Sequence, residues 1–126
     1  MVQNRAYNRV LILTLSLMSL LNNLLSPQVL PLWSHEMDDE IISVVISSSG
    51  ERIAVGSHEE VCLLDELGNL LWSYKIGFGF PNNIDISSDG KYVAVGSLGR
   101  KVFVFDSFRL IWIYETRGFV ESVSIS

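Results

Sequence analysis

The sequence predicts an all-β fold of four-stranded antiparallel sheets repeating about every 40 residues, preceded by an N-terminal hydrophobic helix. Three observations predict it. Ser43 to Ser57 reads SVVISSSGERIAVGS and is rewritten from Asn83 to Ser97 as NIDISSDGKYVAVGS. Ala54-Val55-Gly56-Ser57 thus returns as Ala94-Val95-Gly96-Ser97, and Gly50 as Gly90. Within each copy β-branched residues alternate with small or polar ones, the period of a strand with one face buried. Trp33, Trp72 and Trp112 mark a further position that recurs with the same period.

The first element is the leader, residues 1–31. It holds Arg5 and Arg9 and no acid, a net charge of +2, while the other seven Lys and Arg face all 14 acids, a net of −7. Val10 to Leu21 (VLILTLSLMSLL) is a run of apolar and small hydroxyl residues. It suits a signal-peptide hydrophobic region and is short of the roughly 20 residues that span a bilayer. Asn22-Asn23 interrupts it and Leu24-Leu25 can extend it, so residues 10–25 read as a signal peptide or a signal anchor. The positive flank would hold residues 1–9 in the cytoplasm and send the acidic body across, making it extracytoplasmic, secreted or membrane-anchored. No basic stripe exists to neutralise phosphates, which argues against nucleic acid.

Residues 32–126 carry the repeat. Inner strands with Ile42, Val44, Ile46 and then Ile84, Ile86 lead into Ser48-Ser49-Gly50 and Ser88-Asp89-Gly90. The Asp-Gly pair predicts a tight hairpin, since both residues tolerate positive φ. Second strands follow over Arg52–Ser57 and Lys91–Ser97, third over Val61–Asp65 and Val102–Asp106, and fourth over Leu70–Ile76 and Leu110–Glu115. Four strands per period of about 40 residues make a β-propeller blade. Leu32-Trp33-Ser34-His35 copies Leu71-Trp72-Ser73-Tyr74, and Val123-Ser124-Ile125-Ser126 copies Ile84-Asp85-Ile86-Ser87. The expected order is an outer strand at 32–37, blades at 41–76 and 83–115, and an inner strand at 121–126. Closed propellers typically have about four to eight blades. The expectation is therefore a fragment of a longer product, or several copies completing a ring, with truncation favoured.

The pattern resembles the PQQ-like and WD40-like β-propeller repeats, in particular the quinoprotein-type repeat whose docking motif runs A-x-D-x-x-T-G-x-x-x-W. Asp65, Gly68 and Trp72 keep that motif's spacing, with Leu63 for its Ala and Leu67 for its Thr. Asp106 to Trp112 is one residue shorter and has Arg109 near the turn where glycine is expected. The resemblance implies structural roles only: the Trp rings stack between blades, and the turn carboxylates of Asp65 and Asp106 bond local amides. Quinoprotein dehydrogenases hold cofactor and metal over a larger ring, and no residue here carries over as catalytic, cofactor-binding or metal-ligating.

The remaining candidates weigh toward structure. Trp33, Trp72 and Trp112 could form a ligand platform, but recurrence at one position favours packing. Met37-Asp38-Asp39-Glu40 offers oxygen ligands without the glycine turn of a calcium loop, so a solvated loop is expected. His35 and His58 have no partner motif, and the Ser47-Ser48-Ser49 hydroxyls have no nearby base. Cys62 stands where the second copy has Phe103, as a small core hydrophobe. Gly77-Phe78-Gly79-Phe80-Pro81-Asn82-Asn83 is the one connection rich enough in glycine and aromatics to suggest a rim binding loop. Gly50, Gly90, Gly56 and Gly96 complete the structural repeat positions. The expected function is a non-enzymatic, exported repeat module that binds or assembles protein or polymeric partners. Its expected partners are further blades, from additional sequence or self-association, a protein, and a membrane through residues 10–25. A fragment of a PQQ-dependent dehydrogenase-like protein, or a remnant without function, are the alternatives.

Overall fold

The computed structural model describes residues 29–77 and 79–126. The hydrophobic helix expected within residues 10–25 lies outside them. The described residues form two antiparallel sheets in simple sequence order. The first contains β1 (Ile41–Ile46), β2 (Arg52–Ser57), β3 (Glu60–Asp65) and β4 (Leu70–Lys75). The second contains β5 (Pro81–Ile86), β6 (Val93–Ser97), β7 (Lys101–Phe105) and β8 (Leu110–Glu115).

The repeated residues hold the same register in both sheets: Val44 faces Val55 as Ile84 faces Val95. Ala54 lies between Val45 and Leu63, and Ala94 between Asp85 and Val104. Directly paired residues share a face, so each sheet sorts its side chains into two layers. Ala54, Val61 and Leu63 of the first sheet pack on Ile84, Ile86, Val93, Val95, Phe103 and Phe105 of the second. On its other face, Ile53, Val55, Cys62 and Leu64 are covered by Trp33 and Met37. With strands on both sides and apolar layers above and below, β2 and β6 are almost wholly buried.

The Ala-Val-Gly-Ser motif has a steric reason. A Cβ on Gly56 would lie 2.4 Å from Ile84 Cδ1, and one on Gly96 would lie 2.6 Å from Val120 Cγ1. The inner strand or segment that follows each sheet crosses over the glycine, where a side chain would hold it off. Ser57 and Ser97 are buried and spend their hydroxyls locally: Ser57 Oγ donates to Glu60 O (3.3 Å), and Ser97 Oγ to Gly79 O.

Two expectations are corrected. The Asp89-Gly90 hairpin is not a two-residue turn, because Ile86 pairs with Val93 and Ile46 with Ile53. Each loop is a β-turn closed by Gly50 N to Ser47 O (2.9 Å) or Gly90 N to Ser87 O (2.8 Å). The glycines alone take positive φ, 76° and 71°, while Asp89 Oδ1 accepts from Ser87 Oγ (2.8 Å) and Lys91 N (3.0 Å). The carboxylate is thus more useful as an acceptor across the turn than as a positive-φ residue. Among the described residues, the strands expected at 32–37 and 121–126 form no ladder; Glu36 makes an isolated bridge. Each segment lies on the face of a sheet: Trp33 and Met37 on the first, Val120 and Val123 on the second.

Candidate interaction surface

The tryptophan strands define the surfaces between sheets. Trp72 pairs with Leu63 and Tyr74 with Val61, placing both rings on the face that meets the second sheet. Trp72 stacks on Phe105 at 4.8 Å between centroids, and Tyr74 meets the same ring edge-on at 5.3 Å. Trp112 and Tyr114 hold the corresponding positions on β8, opposite Val104 and Val102. There they are 47% and 64% exposed, with no further sheet among the described residues to cover them. Residues 120–126 cover only the inner part of that face. Val120 and Val123 pack over Gly96, Asp85 Oδ2 accepts from Ile125 N (2.9 Å), and Asn83 Nδ2 donates to Glu121 O. What remains open is an apolar strip of Val102, Val104, Trp112 and Tyr114.

The three tryptophans are held differently. Trp33 lies flat over the β3–β4 turn and donates from Nε1 to Glu66 O (2.9 Å). That turn is pinned by Asp65, whose Oδ1 accepts from Leu67 N (2.9 Å) and Asn69 N (2.8 Å), and whose Oδ2 accepts from Asn69 Nδ2 (2.9 Å). In the shorter β7–β8 turn Asp106 Oδ1 accepts from Phe108 N and Arg109 N, both at 2.8 Å. No carbonyl of this shorter turn reaches Trp72, whose buried Nε1 has no hydrogen-bond partner among the described residues. Arg109, where the repeat would place glycine, keeps negative φ; the one described non-glycine residue at positive φ is Arg100.

These carboxylates are anions by design of the turn. Hydrogen bonds from Asn69 hold Asp65 below its ordinary range, the Phe108 amide does so for Asp106, and the Lys91 amide for Asp89. A depressed folded-state pKa contributes stability above the unfolded value, near pH 4, and loses it as pH falls through the folded value. Stability should therefore be flat from neutral pH to that point and decline below it. The variant D65N/D89N/D106N, followed by chemical denaturation, should be less stable at pH 7 and show a shallower acid decline.

The rim connection also forms a structure. His58, Glu59, Lys75, Gly77, Gly79 and Phe80 line an open cleft of about 440 Å³. His58 meets Phe80 edge-on at 4.6 Å, and its Nδ1 lies 3.8 Å from Asp39 Oδ1 and 3.7 Å from Glu40 Oε2. Of the acidic loop, Asp39 and Glu40 thus face an imidazole. His35 is half-buried, and no group of three His, Cys, Asp or Glu among the described residues could hold a metal. Cys62 is buried 3.9 Å from Met37 Sδ, and burial pushes its thiol up to about 12, leaving it protonated and unreactive.

No protein-family model and no curated protein matches the sequence. Solved structures do match. The chain is similar to a structure of U3-55K (TM-score 0.64, 18% identity, 72% of this chain and 31% of that one). It is also similar to the WD40 repeats of RRP9 (TM-score 0.63, 18% identity, 72% and 31%). A third is the β-propeller domain of Cps50 (Swd1) from Myceliophteria thermophila (TM-score 0.64, 16% identity, 71% and 30%). The chain spans about a third of the length of the solved chains it matches. At that identity the likeness shows the fold alone: the two sheets are built like blades of the WD40 propellers they match.

Proposed function

We propose that this chain is a non-enzymatic propeller module that binds a protein through the open face of its second blade. The exposure of Trp112 and Tyr114 carries the reading, since Phe103 and Phe105 cover the equivalent Trp72 and Tyr74 within the chain. Large aromatic rings in an apolar strip are the residues that dominate binding when they enter a partner's pocket. The favoured partner is a further blade or a protein that presents the same kind of apolar sheet; polymer binding is the weaker form of the reading. The basic flank and apolar run of the leader support a module that works outside the cytoplasm, exported or anchored through residues 10–25.

A photo-reactive residue at position 114 in the full chain, compared with one at Glu51, tests the reading. Position 114 should yield discrete protein adducts that W112S abolishes, while position 51 yields none. Equal labelling at the two positions would refute it. Added pyrroloquinoline quinone and calcium should leave the tryptophan fluorescence unchanged; saturable quenching would support the dehydrogenase alternative instead.

A further inference from the structure

The chain enters its first blade at one end of the sheet, and exposed apolar side chains stand at that end. Consecutive antiparallel strands put the β1–β2 and β3–β4 turns at one end of the first blade, and the β5–β6 and β7–β8 turns at one end of the second. The two ends coincide, since a Cβ on Gly90 would touch Arg52 and Ser47 of the first blade. Leu67 is at the tip of the β3–β4 turn, 68% exposed, and Phe108 at the tip of the β7–β8 turn, 86% exposed. Asp65 and Asp106 hold the amides of these same two residues, so the tips are fixed while their side chains stay bare. Val29 and Leu32, on the stretch that leads into Trp33, are bare as well among the described residues.

We infer that this end of the two blades, led by Leu67 and Phe108, rests in the interface of a zwitterionic bilayer. The inference rests on the anchored form of the reading above, in which residues 10–25 hold the chain to a membrane. Tether length decides which end meets the lipid. Trp33 comes eight residues after Leu25 (33 − 25), a stretch that spans at most about 29 Å. Its indole is pinned to the β3–β4 turn by the bond to Glu66 O. Headgroups take up about 5–8 Å of that reach on each side of the hydrocarbon. With the β2–β3 end down, Trp33 would stand higher by the rise of a six-residue strand, about 20 Å, and the tether would have to run almost straight. With the β3–β4 end down it stays slack, and Leu67 and Phe108 meet a layer in which apolar side chains gain from partial burial. Charge selects the lipid. The four turns at this end carry Arg52, Lys91 and Arg109 against Glu51, Asp65, Glu66, Asp89 and Asp106, so anionic headgroups would meet a net negative surface. The contact lies at the turns and leaves the Trp112 and Tyr114 face open to the protein partner proposed above.

The test places an environment-sensitive nitrobenzoxadiazole label on the full chain in phosphatidylcholine vesicles, through L67C, F108C or F119C in turn. Cys62, buried and protonated, stays unlabelled. Phe119 is likewise exposed but lies at the other end, just beyond the Thr116 N to Arg100 O bond. Emission at 67 and 108 should shift to the blue and be quenched by nitroxide-bearing lipid, and emission at 119 should do neither. F108D should reduce the shift at 67, and phosphatidylglycerol in the vesicles should weaken the shifts at both positions. No shift at 67 and 108, an equal shift at 119, or shifts that F108D and phosphatidylglycerol leave unchanged would overturn the contact. Alkaline carbonate distinguishes that failure from failure of the anchor. A chain washed from the vesicles overturns the anchored reading and the contact with it, whereas a retained chain without the shifts overturns the contact alone.

Discussion

Trp72→Ala should destabilise the chain by about 3–5 kcal/mol, the cost typical of removing a large ring from a packed interface. The ring stacks on Phe105, the largest fully buried side chain, at an interplanar angle of 21°. Nothing behind β4 can collapse into the void, because Leu63 and Ala54 are held by their own ladders. Phe105→Ala should cost a similar amount, and the double variant less than the sum, since both open the same space. Trp112→Ala, whose ring has no covering sheet, should cost under about 1 kcal/mol. Trp72→Phe should be milder than Trp33→Phe, because Trp33 alone loses a hydrogen bond, to Glu66 O. Urea denaturation of each variant measures all six values; a Trp72→Ala cost as small as that of Trp112→Ala would mean the two sheets do not pack through this ring.

Much of this was legible because a repeat reports the same constraint twice. Ala54-Val55-Gly56-Ser57 and its copy marked a central strand, and the glycines proved to be crossing points for Ile84 and for Val120. Cys62 could be read as core from Phe103, its counterpart. The one-residue contraction after Asp106 was visible too, but not that Trp72 Nε1 would lack, among the described residues, the carbonyl that Trp33 finds in Glu66. Asp89 misled, since its preference for turns says nothing of whether it serves by its φ or by its carboxylate. The meeting of His58 with Phe80, Asp39 and Glu40 left no mark in the sequence. It depends on the rim connection folding back across the β2–β3 turn, a tertiary event between residues far apart in the chain.

Gly68→Ala should cost about 2–4 kcal/mol, combining backbone strain with a displaced ring. Gly68 has φ of 82°, which alone penalises any Cβ. A Cβ there would also lie 2.6 Å from Trp33 Cδ2 and 2.7 Å from Cε3, and an indole has no flexible end to swing aside. Lifting it would break the bond from Trp33 Nε1 to Glu66 O and uncover Leu64, Cys62 and Val55, which Trp33 and Met37 shield. Gly50→Ala separates the two contributions: its φ is 76°, but nothing lies within 4 Å of the added methyl. It should cost only the strain, about 1–2 kcal/mol. Denaturation midpoints together with tryptophan fluorescence distinguish the cases, since Gly68→Ala should shift Trp33 emission to the red and Gly50→Ala should leave it unmoved. Equal costs without that shift would mean that the ring is not seated on the turn, and that the first blade's outward face is covered by Met37 alone.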